Sequence, residues 1–117
     1  MVTAPFGDRI LDLGEAGAEL QRLMDVLVAS CEQVGKDLDN GVSPLDSILS
    51  IGGEEGQAFR REVNAAMKRF EQAMQASRAE SFRVLVRDGG FSVSLLAGTT
   101  GLSTQMIRRL LRIAEDA

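Results

Sequence analysis

The stretch GTTGLSTQMIRRLLRI, Gly98 to Ile113, decides how this chain is read. It contains a turn, TTG, followed by an amphipathic segment, LSTQMIRRLLRIAE, and a short apolar segment, SVSLLAG, precedes the turn. At 3.6 residues per turn, Leu102, Ile107 and Leu110 fall inward with Met106 at their margin. Ser103, Thr104, Gln105, Arg108, Arg109 and Arg112 are left outside, and none of these six is acidic. Two helices crossing steeply through a tight turn need a small residue at their closest approach, a turn glycine four positions later, and apolar residues that lock the angle. Ala97, Gly101, Leu96, Leu102, Ile107 and Leu110 meet these demands, and Ser103 is placed to cap the second helix.

Upstream, RDGG at Arg87 to Gly90 closes a long helical stretch that starts near Glu54. Phe59, Val63, Ala66, Phe70, Ala73 and Met74, then Phe82, Leu85 and Val86, form its apolar stripe. Before it, Ser43-Pro44 offers an N-cap and a proline at the first helical position, with Leu45, Ile48 and Leu49 as the expected inner face of a short helix. The IGGEEG that follows lacks a Lys-Ser/Thr and a preceding strand, so it reads as a flexible connection and not a phosphate loop. From Ile10 a heptad seam runs through Leu13, Gly17, Leu20, Met24, Leu27, Cys31, Val34 and Leu38. The seam predicts a helix roughly 43 Å long at about 1.5 Å per residue, ended by DNG at Asp39 to Gly41. Neither long helix can bury its stripe alone, so the two pair within one chain or across a dimer.

Composition excludes several chemistries. There is no histidine and a single cysteine, so imidazole catalysis, an internal disulfide and Cys/His zinc sites are ruled out, and no metal or cofactor is expected. Cys31, on the seam, is expected to be a buried thiol. Glu54 and Glu55 are adjacent carboxylates that point in different directions, without a nucleophile, so the chain is not read as an enzyme. No apolar run approaches the roughly 18 residues of a membrane span, and MVTAPFGDRI lacks a basic segment followed by an apolar one. The net charge of -4 is unevenly spread: residues 1–55 carry 3 Lys+Arg against 11 Asp+Glu, and residues 56–117 carry 10 against 6. From Arg78 to Arg112 six arginines face only Glu80 and Asp88, a local excess of positive charge of the kind a DNA-facing surface carries.

Ser92 to Arg112 resembles the helix-turn-helix of bacterial transcription regulators, and with the preceding helix, about 76–88, it resembles their tri-helical DNA-binding head. GLSTQMIRRLL is similar to the turn and recognition helix of many such proteins; Thr100 stands where an apolar residue is usual. The resemblance implies that Gln105, Arg108 and Arg109 read base edges in the major groove. It also implies that Ser103, Thr104 and Arg112 hold phosphates, with Arg78, Arg83 and Arg87 of the preceding helix adding phosphate contacts.

The expected fold is therefore all-α. Residues 1–75 form an acidic helical dimerisation or interaction region, a helical hairpin or coiled-coil-like element, and residues 76–117 form a helix-turn-helix DNA-binding region. The expected function is that of a homodimeric, cytoplasmic, nucleoid-associated transcriptional regulator on double-stranded DNA, with its acidic half open to a protein partner and no membrane association. The alternative is a protein-interaction adaptor whose helix-turn-helix is only structural.

Overall fold

A computed structural model describes residues 5–116. Among the described residues the chain forms five α-helices and no strand: α1 (Pro5–Asp39), α2 (Pro44–Ile51), α3 (Glu54–Arg87), α4 (Val93–Thr100) and α5 (Thr104–Asp116). The all-α fold expected from the sequence is the one observed.

Local chemistry sets each boundary. At the end of α1 the Val42 N–H donates to the Asp37 carbonyl at 2.9 Å and the Gly41 N–H to that of Leu38 at 3.1 Å, which closes the helix at the predicted DNG. Ser43 caps α2, its Oγ accepting the Asp46 N–H at 3.1 Å. Ser92 and Ser103 repeat the device for α4 and α5, accepting the Leu95 and Met106 N–H groups, each at 3.0 Å. The connection expected to be flexible is only Gly52–Gly53 long, and Gly56 lies in the first turn of α3. A Cβ on Gly56 would stand 1.8 Å from the Ile51 carbonyl oxygen, so glycine is required there by close backbone approach.

The chain divides into two compact units, one of Ala16–Arg69 and one formed by the stretch up to Glu15 together with the chain from Phe70 onward. In the first, Arg22 of α1 bonds Glu62 of α3 at 3.4 Å while Glu19 lies in the field of Arg69, so the partner number rises as the α1 number falls. Within that unit the two helices are therefore antiparallel. Ala16, Leu23 and Ala66 are buried between them, with Phe59 and Val63 half-buried.

Three sequence expectations are corrected in this unit. The buried positions of α1 are Ala16 and Leu23, one residue before the expected Gly17 and Met24. Heptad spacing fixes a period, and where two apolar residues are adjacent either one satisfies it. Beyond Met24 the seam is largely uncovered: Leu27, Leu38 and Cys31 are exposed, so Cys31 is an accessible thiol and not a buried one. In α2 the inward residue is Ser47, and Leu45 and Leu49 fall on the opposite side of the helix with Ile48 beside them, each 64 to 65 % exposed.

The second unit has its own core. Ala79 and Phe82 of α3, Leu96 of α4, and Ile107 and Leu110 of α5 are buried together, with Leu85, Phe91, Ala97 and Leu102 packed against them. Ala97, Leu102, Ile107 and Leu110 thus occupy the inward roles assigned to them from spacing alone. Gly101 ends α4 with φ +77°, a conformation in which a Cβ crowds the following carbonyl, and its N–H donates to the Ala97 carbonyl at 3.0 Å.

Candidate nucleic-acid interface

The core of the second unit determines what α5 shows to solvent. With Ile107 and Leu110 fully buried, helical geometry turns Gln105, Arg108, Arg109 and Arg112 outward, and all four are exposed. Together with Ser103 and Met106 they line one open cleft. Among the described residues none of Arg108, Arg109 and Arg112 is paired with a carboxylate, so their guanidinium donors are available for an acceptor outside the chain. Met106, expected at the margin of the inward side, is 37 % exposed and sits there.

The N-terminus of α5 adds a second feature. Thr104, half-buried, is its first residue, so the amide groups of the first turn point out of the helix beside Gln105 with the positive end of the dipole. The Ser103 hydroxyl accepts the Met106 N–H, and its own hydrogen remains free to donate. Thr100, the position where the sequence departs from the usual apolar residue, uses its hydroxyl instead. It donates to the Leu96 carbonyl at 2.7 Å and accepts the Leu102 N–H at 3.2 Å, tying the turn from both sides.

The three arginines of α3 fall into two groups. Arg78 is exposed and borders a groove shared by Phe70, Met74, Met106 and Leu110, which places it beside the Met106 edge of α5. Arg83 and Arg87 line a different cleft with Arg9, Glu80 and Glu115. Arg83 donates through Nε to Glu80 at 2.8 Å and through a second guanidinium nitrogen to the same oxygen, while Glu80 is only 3 % exposed. That hydrogen bond holds the Glu80 carboxyl below its usual range against the opposing effect of burial, with the charges of Arg83, Arg9 and Arg87 adding to it. The same bond raises Arg83. Arg87 lies 3.9 Å from Asp88. The local positive excess seen in the sequence therefore resides on Arg78, Arg108, Arg109 and Arg112.

Arg9 was not singled out by sequence reasoning. It stands next to Glu80 only because the first turns of α1 return to the C-terminal half of α3, some 70 residues away in the chain, and no local pattern carries that information.

Among the described residues no helix is long and apolar enough to cross a membrane, and no group of three or more His, Cys, Asp or Glu is placed to hold a metal ion. No protein-family model, curated protein or solved structure matches the chain.

Proposed function

We propose that the second unit is a helix-turn-helix head that inserts α5 into the major groove of double-stranded DNA, and that the protein acts as a sequence-specific transcriptional regulator. The observation that carries this reading is the outer face of α5: three unpaired arginines and a glutamine held on a helix whose opposite side is fully buried. Arginine and glutamine present the bidentate donor and acceptor patterns that match guanine and adenine edges. Arg108, Arg109 and Gln105 take that role. Arg112, Arg78, the Ser103 hydroxyl and the amide groups at Thr104 hold phosphates.

The proposal includes a homodimer through the N-terminal helix. Phe6 and Ile10, one turn apart on α1, and Leu11 beside them remain exposed in the same unit that carries the DNA-facing side of α5. Two heads in one dimer raise affinity through effective concentration, and their half-sites lie about 34 Å apart or a multiple of it. Such a protein works at the nucleoid.

The test is a polarisation titration of labelled genomic duplexes at about 50 and 200 mM salt, with the wild type and an Arg108→Ala/Arg109→Ala variant whose fold is checked by circular dichroism. Salt-sensitive binding by the wild type and its loss in the variant is the expected result. Equal affinity of the two proteins refutes the assignment.

A further inference from the structure

The exposed apolar side of α2 lies inside the most acidic part of the chain. Between Asp25 and Glu55 there are seven carboxylates and one cation, Lys36, and among the described residues none of the seven is ion-paired. Nine exposed large apolar side chains fall in the same stretch, each 40 to 65 % exposed; Leu45, Ile48 and Leu49 are the most open, with Val42 and Ile51 flanking them. An eight-residue helix that turns its serine inward and its leucines outward gains nothing from that orientation unless something covers the leucines.

Charge selects what can cover them. A second copy of this stretch would bring like charge against like charge, with Lys36 the one cation in it to offset the repulsion. An anionic lipid surface or a nucleic acid is repelled for the same reason. A partner that buries the leucines and compensates the rim must carry an apolar stripe flanked by lysine or arginine. We infer that the outward side of α2, with its acidic surroundings, docks a basic amphipathic helix of another protein, laid along Leu45, Ile48 and Leu49. A chain that also holds DNA would thereby bring this partner to the bound site.

The experiment uses the full chain and two labelled synthetic peptides of about five helical turns. One has leucine at every third and fourth position and lysine elsewhere; the other replaces each lysine with glutamate. The lysine peptide should bind the wild type and weaken with salt, and the glutamate peptide should bind at least about tenfold less tightly. Leu45→Ser/Leu49→Ser, at exposed positions, should lower affinity for the lysine peptide at least about tenfold while leaving affinity for DNA unchanged. Because DNA affinity is read on the same proteins, failure of this inference is distinguishable from failure of the DNA assignment. Three outcomes overturn it: no binding of the lysine peptide, equal binding by the serine variant, or light scattering showing that the serine substitutions split a wild-type oligomer, which would make the occupant a second copy.

Discussion

Side chains at Gly101 and at Gly56 are disfavoured for different reasons, and the difference can be measured. Apart from the glycine's own backbone and its two chain neighbours, an added Cβ at Gly101 meets no atom within 4 Å, so the whole cost of a side chain is that of holding φ at +77°. For an L-residue that is about 1 to 2 kcal/mol, less for asparagine, which tolerates the left-handed region, and more for a β-branched residue. With a urea slope of about 1 to 3 kcal/mol per M, Gly101→Ala should move the midpoint of unfolding down by roughly 0.3 to 2 M, Gly101→Asn by less, and Gly101→Val by more. At Gly56 the backbone is helical and alanine would ordinarily gain about 1 kcal/mol, but its Cβ would stand 1.8 Å from the Ile51 carbonyl oxygen. Gly56→Ala should therefore destabilise by forcing the α2–α3 connection apart, and Gly56→Asn should be no better than alanine. Urea unfolding followed by circular dichroism on the five variants tests both arguments. If Gly101→Ala is neutral, or Gly101→Asn costs as much as Gly101→Ala, the turn is not held by a left-handed residue and the angle between α4 and α5 has another origin.

Further outcomes follow from the charges and the core. If Arg78 and Arg112 each neutralise a phosphate, the logarithm of affinity should fall with the logarithm of salt with a slope of about -1.8 per head from these two contacts, and Arg78→Ala should reduce it by about 0.9, measured by polarisation. Glu80 is ionised in the folded protein below the usual carboxylate range, so its contribution to stability is present above about pH 4.3 and is lost as pH falls through the lower folded value. Urea midpoints should therefore drop on acidification in the wild type and drop less in Glu80→Gln. Ile107→Ala, at a position with no exposed surface, should cost about 2 to 5 kcal/mol and abolish DNA binding through loss of the head, visible as a lowered unfolding midpoint. Cys31 should react with a thiol reagent in the native protein as fast as in urea; protection would place the unmatched seam of α1 under cover.

What the sequence disclosed depended on how local the determining physics is. The α4–α5 turn was legible because its constraints lie within about 15 residues: Ala97, Gly101, Ser103, Ile107 and Leu110 each have one place to go once the turn is fixed. Helix ends were legible for the same reason, through Ser43, Pro44 and the glycines. The phase of the long α1 seam was not, because Ala16 and Gly17, or Leu23 and Met24, satisfy the same heptad and only the neighbouring helix chooses between them. The outward leucines of α2 ran against the expectation that large apolar residues face inward, because nothing in eight residues of local pattern says which side of a short helix the rest of the chain will cover. The pairing of Arg83 with buried Glu80 was also hidden, since the spacing of three fits an exposed pair as well as a buried one. It removes one of the six arginines from the unpaired set.

The most direct test of the account asks where the arginines of α5 touch DNA. A duplex selected from a random pool by the purified protein should be subjected to methylation interference, which places a methyl on guanine N7 in the major groove or on adenine N3 in the minor groove. Methylation of specific guanines should block the wild type, adenine methylation at the same steps should not, and the effect at one guanine should disappear in Arg109→Ala or Arg108→Ala. Interference confined to the minor groove, or a guanine pattern unchanged in both variants, would contradict the reading of α5 as the helix that enters the major groove.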